Sequence, residues 1–124
     1  MAEILEPPLD MSILRYNHHS LQGDVDAKRA ILQAMGQKLE PRRKELCSNL
    51  EDQIFYLLNN LHIRHNNQTK EDKYYKEYIS AMEKEELEQW YDELYQMILL
   101  AFLELDQIER SVRCKKLRMK IEEG

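Results

Sequence analysis

Neither glycine nor proline occurs between Pro41 and Gly124, and the whole 124-residue chain contains only three of each. Glycine and proline supply the special backbone dihedrals of tight turns. A chain with so few of them cannot form the many turns of a β-sandwich or a β-barrel, and it lacks a glycine-rich phosphate-binding loop. The sequence therefore predicts an all-α protein in which the part after Pro41 is free to form long helices.

Two medium helices are predicted before residue 63. Asp24 and Asp26 place acidic side chains at a helix start, and good helix formers fill 25–39. Pro41 ends this helix and suits the first position of the next, where its missing N–H is not needed. We expect that second helix to run from Pro41 to about His62. Its apolar residues recur at helical spacing on one face: Leu46, Leu50, Ile54, Leu57, Leu58 and Leu61.

The C-terminal helix carries the strongest pattern in the sequence. Counting alternately by four and by three from Leu87 to Met119 gives ten positions, and nine of them are apolar when Tyr and Ala are included. This spacing is typical of the a and d positions of a coiled coil. The ten positions are Leu87, Tyr91, Leu94, Ile98, Ala101, Leu105, Ile108, Val112, Lys115 and Met119.

The length of this helix conflicts with a compact shape. A straight helix over residues 87–119 is about 50 Å long, whereas a compact chain of this size has a radius of gyration near ~14 Å. The helix must therefore extend beyond its own domain or pack on another chain. Every residue from Met97 to Leu103 is apolar, so we expect this section to be buried on several sides by the two preceding helices.

Two boundaries remain open in the sequence. Ser80–Glu83 fits a capping box, which favours a break between residues 80 and 86, although no glycine or proline forbids an uninterrupted helix from Lys70. Residues 1–23 contain two prolines and Gly23, which indicates an N-terminal arm before a helical domain of residues 24–124. The arm either docks on a partner groove or straps its own bundle. Its candidate docking residues are Leu9, Ile13, Leu14 and Tyr16.

Charge is segregated along the C-terminal half, although the net charge of the chain is only −5. Residues 67–109 hold 4 basic and 12 acidic side chains, whereas residues 110–120 hold 6 basic side chains and no acid. The basic end suits three roles: a solvated helix terminus, a nucleic-acid patch, or a surface that pairs with acids. In two antiparallel copies, Glu83–Glu93 of one helix would face Arg110–Lys120 of the other.

Catalytic and metal-binding patterns are weak. The sequence has no Gly-x-Ser-x-Gly and no His-Glu-x-x-His motif. His62 and His65 stand three apart near a helix end, but too few further ligands lie nearby to complete a metal site. We expect them to lie at a solvated helix end, where the helix dipole favours histidine. Glu104 borders the apolar section, and we expect it to be exposed. We therefore predict no catalytic residues, no cofactor and no metal.

The cysteines and the longest apolar run of the sequence indicate the cellular compartment that we expect. Cys47 and Cys114 form no disulfide framework, so we expect reduced thiols, buried or half-buried, in an intracellular protein of the cytoplasm or nucleus. The longest apolar run has seven residues, whereas a membrane span needs about 20. We predict no membrane association.

These observations favour a non-catalytic helical module, an adaptor or a small assembly subunit, that binds protein partners through its long C-terminal helix as a homo- or hetero-oligomer. The alternative is a nucleic-acid-associated or transcription-linked regulator that uses the basic segment. The predicted partner interface consists of Leu94, Ile98, Leu105, Ile108, Val112 and Met119. Its charged flank consists of Arg110, Arg113, Lys116, Arg118 and Lys120.

Overall fold

The computed structural model describes residues 21–64 and 75–124, and both ranges are helical without a strand. The all-α prediction is confirmed. The elements are α1 (Val25–Leu39), a 3₁₀ helix (Glu40–Glu45), α2 (Ser48–Asn60), α3 (Glu77–Ser80) and α4 (Lys84–Glu123). Most of the predicted N-terminal arm, including Leu9, Ile13, Leu14 and Tyr16, lies outside the described residues.

Helix α1 has the predicted bounds because its start is capped by a side chain. The carboxylate of Asp24 accepts a hydrogen bond from the Ala27 N–H at 3.0 Å, which satisfies one of the unpaired donors of the first turn. The preceding residue, Gly23, has φ +80°, a left-handed conformation in which a residue with a Cβ is strained. The sharp turn before α1 therefore depends on a glycine.

The predicted second helix from Pro41 to about His62 is wrong at its start. Residues 40–45 form a 3₁₀ helix with Pro41 in its first turn, and Leu46 then has an extended backbone. Helix α2 begins only at Ser48 and ends at Asn60, before a left-handed His62 with φ 63°. The start of α2 is set by a distant partner, since Glu104 Oε1 accepts the Cys47 N–H at 2.6 Å.

The open question of a break near residue 83 is resolved in favour of the break. Helix α3 ends at Ser80, and α4 starts at Lys84 after Glu83, whose backbone is extended. Glu85 and Glu86 occupy the first turn of α4, where carboxylates interact favourably with the helix dipole. From there α4 continues for 40 residues.

The core lies where α1 and α2 pack against α4. All heptad positions of α4 from Leu87 to Leu105 are buried. Helix α1 also approaches α2 closely at Gly36, where a Cβ atom would lie only 3.0 Å from Cδ1 of Leu58. The largest fully buried side chains are Leu32, Met35, Leu39, Ile54, Leu58, Leu61, Tyr91, Leu94, Tyr95, Ile98 and Leu105.

One buried cation joins α1 to α4. Lys28 Nζ lies 2.9 Å from Glu88 Oε2 and 2.8 Å from Asp92 Oδ1. Burial lowers the pKa of Lys28, but the hydrogen bonds that its ammonium donates to Asp92 and Glu88 outweigh burial, and the net pKa is raised. The hydrogen bond from Lys28, assisted by the N–H of Gly23 at 2.6 Å, lowers the pKa of Glu88. Both groups therefore stay charged at neutral pH.

The core assignment predicts a large difference between two leucines of the same helix. Leu94 is fully buried, whereas the side chain of Leu117 is 58% exposed. We expect Leu94→Ala to lower the free energy of unfolding by about 2–5 kcal/mol, because it leaves a cavity in the core. The matched control Leu117→Ala should change it by less than about 0.5 kcal/mol. Urea unfolding measures both, and equal effects would contradict the fold.

The lowered pKa of Glu88 predicts an acid-dependent contribution to stability. As the pH falls below about 4.3, the unfolded chain takes up this proton before the folded chain does. The ion pair of Glu88 therefore makes its full contribution to the free energy of unfolding above that pH. This contribution is lost as the pH falls through the lower pKa that Glu88 has in the folded state. The stability difference between the wild type and Glu88→Gln should shrink over that interval in urea unfolding.

The matched control for this experiment is Glu85→Gln, which alters an exposed carboxylate in the first turn of the same helix. Its stability difference from the wild type should vary less with pH than that of Glu88→Gln. A difference for Glu88→Gln that stays constant from pH 7 to pH 3 would contradict the assigned ion pair.

Candidate protein-interaction surface

Helix α4 is longer than the bundle that covers it. Its last buried residue is Asp106, and the last ion pair to the rest of the bundle joins Arg42 to Glu109 at 3.4 Å. Residues 110–123, which we call the tail, continue the helix for about 21 Å. Within the described ranges, all tail residues except the half-buried Ser111 are exposed.

The structure separates the predicted interface into two parts. Leu94, Ile98 and Leu105 are at most 2% exposed and belong to the core of the chain itself. This placement removes them from the predicted partner interface, because α1 and α2 already cover that length of α4. Ile108 is half-buried and packs against the same core.

The other two predicted interface residues remain accessible. Val112 and Met119 are 50% and 61% exposed, respectively. They continue the heptad pattern of the buried seam beyond the end of the bundle, so they lie on the same face of α4 as Leu94 and Leu105. We call Ile108, Val112 and Met119 the tail seam.

The opposite side of α4 is also partly apolar. The prediction that Met97–Leu103 is buried on several sides by the two preceding helices holds only in part, since Ile98, Ala101 and Phe102 are buried while Leu100 and Leu103 are exposed. The reason is that both packing helices lie on one side of α4 in the part of the chain that the structure describes. Leu117 and Ile121 extend the exposed apolar surface into the tail.

The predicted charged flank is exposed, but two of its residues have partners within the tail region. Arg110 binds the buried carboxylate of Asp106 at 2.7 Å, and Arg118 binds Glu122 at 3.2 Å. Both are pairs four residues apart, a spacing that brings side chains together on a helix. The role of Asp106 was not predicted, although its spacing to Arg110 was a usable signal. Arg113, Lys116 and Lys120 are exposed as well.

Several polar groups singled out in the sequence have structural roles. Glu104, expected to be exposed, is half-buried and binds the N–H of Cys47 at the start of α2. His62 is half-buried, with Nε2 3.3 Å from the carbonyl oxygen of Ile79, and burial lowers its pKa. The expectation that His62 lies at a solvated helix end is therefore wrong. Its proposed companion His65 lies outside the described residues.

The two thiols differ from the prediction. Cys47 and Cys114 are free, and both are exposed rather than buried or half-buried. Cys47 stands at the start of α2, and Cys114 lies in the tail, where none of the other described helices covers α4. Among the described residues, no group of three or more His, Cys, Asp or Glu side chains is arranged to hold a metal ion.

Neither the membrane criterion nor the comparisons add a functional assignment. Within residues 21–64 and 75–124, no helix is long and apolar enough to cross a membrane. Comparison with protein-family models, with curated proteins and with solved structures gave no match in any of the three. The functional conclusion therefore rests on the geometry of α4 and its tail.

Proposed function

We propose that this protein is a non-catalytic helical interaction module, an adaptor or a small subunit of a larger assembly, that binds a protein partner through the tail. The observation that carries the proposal is the extension of α4 beyond its bundle with apolar side chains exposed. An isolated helix of this length is only marginally stable in water. A partner that covers the tail would stabilise its helical form.

The chemistry of the tail defines the kind of partner. Val112 and Met119 offer apolar side chains on one face of the tail, with Lys115 at the heptad position between them and Lys116 next to it. A complementary surface has apolar side chains in its centre and carboxylates at its edges, as on an acidic amphipathic helix. Covering the two apolar side chains provides the affinity, and the charges select the partner.

The nucleic-acid alternative has less support. The basic residues of the tail are spread around the whole helix rather than along one face. Four exposed apolar side chains are interspersed with the basic ones: Val112, Leu117, Met119 and Ile121. A surface for phosphates has no use for these side chains, whereas a protein partner would cover them.

We also propose an intracellular location, in the cytoplasm or the nucleus. Cys47 and Cys114 are both exposed free thiols. Exposed cysteines remain reduced thiols in compartments where glutathione and thioredoxin maintain reducing conditions.

The proposal predicts that the tail seam is required for partner binding. Val112→Asp combined with Met119→Asp should reduce partner capture at least about tenfold, since each carboxylate would have to be buried in an apolar contact. Helix content by circular dichroism and the urea midpoint should stay close to the wild type, because both residues lie outside the core. Affinity capture from cells with quantitative mass spectrometry measures the binding.

The matched control uses the same change on the other side of the tail. Leu117→Asp alters an equally exposed apolar residue that is not part of the tail seam, and it should retain the captured partners. Capture that is equal for the wild type and the Val112/Met119 variant would contradict the proposal. A steeply salt-dependent affinity for DNA or RNA, lost in Lys115→Glu/Lys116→Glu, would support the alternative instead.

A further inference from the structure

A second stripe runs along the outer face of α4, opposite the core. Counting alternately by four and three from Glu86 to Ile121 selects residues that are exposed in the structure, apart from the half-buried Glu86. We call this set the outer stripe. It consists of Glu86, Gln89, Glu93, Gln96, Leu100, Leu103, Gln107, Arg110, Cys114, Leu117 and Ile121.

We propose that two copies of the chain associate antiparallel through their outer stripes, with the two-fold axis between Leu100 and Leu103. This goes beyond the proposed function, because it uses a different face of α4 from the tail seam and names a second copy as the occupant. A two-fold contact is self-complementary, so every pair of residues across the axis occurs twice.

The centre of the contact is apolar. Leu100 of one copy lies opposite Leu103 of the other, and the four leucines of the two chains form one cluster. Leu100 and Leu103 are 55% and 47% exposed in the single chain. The next position on either side pairs Gln107 with Gln96 of the second copy, which places two uncharged amides against each other.

The charged positions select this arrangement. In this register Arg110 of one copy, which also binds Asp106 of its own chain, faces Glu93 of the other within the stripe. At the flanking positions, Glu83 faces Arg118, which also binds Glu122 of its own chain, and Glu85 faces Lys120. Asp92, which also binds Lys28, faces Arg113. Each of these pairs joins opposite charges, and the stripe and its flanks contain no pair of like charges. Flanking charges of this kind set orientation and register in coiled coils.

A parallel arrangement of the two copies would place like charges opposite each other. It would place the acidic 83–93 segments of the two copies side by side, and likewise the two basic 110–120 segments. Like charges opposite each other are destabilising. The antiparallel arrangement instead places each exposed tail along the first turns of the second copy, where Leu117 lies opposite Glu86. The hydroxyl of Tyr78, an exposed aromatic residue, donates to that Glu86 carboxylate within each chain at 2.8 Å.

The first test is the mass of the full chain in solution at tens of micromolar, measured by sedimentation equilibrium. We expect a dimer for the wild type. Leu100→Asp/Leu103→Asp should raise the dimer dissociation constant about 100-fold or more, because four carboxylates would meet at the centre. Val112→Asp/Met119→Asp, which changes only the tail seam, should remain dimeric.

The second test exchanges charges across the contact. Glu83→Lys/Glu85→Lys and Arg118→Glu/Lys120→Glu should each be monomeric, because each variant opposes like charges in its own homodimer. An equimolar mixture of the two variants should form a dimer, since the acidic tail of one faces the basic first turn of the other, and the wild-type segments pair as before. A mixture that stays monomeric would overturn the proposal.

The third test reports orientation through Cys114. In a Cys47→Ser chain, Cys114 lies opposite Gln89 of the second copy, and the two Cys114 thiols are about 37 Å apart along the helices. Adding Gln89→Cys should allow disulfide crosslinking of the dimer by oxidised glutathione, whereas the Cys47→Ser chain alone should not crosslink. Crosslinking through Cys114 alone would mean a parallel dimer and would overturn the proposal.

The outcomes also separate this proposal from the function proposed above. A monomeric wild type whose tail-seam variant loses its captured partners would overturn the self-association and leave the proposed function standing. A monomeric wild type that loses stability on Leu100→Asp/Leu103→Asp would mean that another segment of the same chain covers the outer stripe. That result would overturn self-association as well.

Discussion

The other features of the structure follow from one constraint: helix α4 is much longer than the two helices that pack on it. Helix α4 has 40 residues, whereas the two helices that pack on it, α1 and α2, have 15 and 13. At 1.5 Å per residue these lengths are about 60 Å against about 23 Å and 20 Å. Two short helices on one side of α4 can cover neither its full length nor its other side. The uncovered length and the uncovered side of α4 are direct consequences, and both proposed surfaces lie on them.

The covered part of α4 is held at several points along its length. Lys28 binds Glu88 near the start, and the Tyr91 hydroxyl donates to the carbonyl oxygen of Leu61 at 2.7 Å. Further along, Glu104 binds the start of α2, and Glu109 binds Arg42. These polar contacts lie along the apolar seam, and the last of them joins α4 to the bundle at Glu109. These contacts fix the direction in which the tail leaves the bundle.

The bounds of α1 could be predicted from the sequence, because they are determined by residues close to them in the chain. Helix α1 has its predicted bounds because Asp24 caps its first turn and Pro41 follows its end. The start of α2 could not be predicted from its neighbours, because Glu104, 57 residues away, binds the Cys47 N–H there.

The site was only partly predictable for a related reason. The heptad pattern identifies the core-facing side of α4, but the pattern continues unchanged past the point where the bundle ends. The sequence therefore does not distinguish Leu105, which is buried in the core, from Val112, which is exposed to solvent. The outer stripe cannot be recognised in the sequence, because its central leucines stand within a wholly apolar section, which indicates burial. Only the placement of α1 and α2 on one side reveals Leu100 and Leu103 as surface residues.

The central claim is that the tail is a helix completed by association, and amide hydrogen exchange along α4 tests it most directly. In a dilute sample of the full chain, amides of residues 112–121 should exchange rapidly, while those of residues 91–105 stay protected by the core. Raising the protein concentration, or adding a captured partner, should slow exchange in the tail and leave the covered part unchanged. Tail amides that exchange at the same rate under all three conditions would contradict the account.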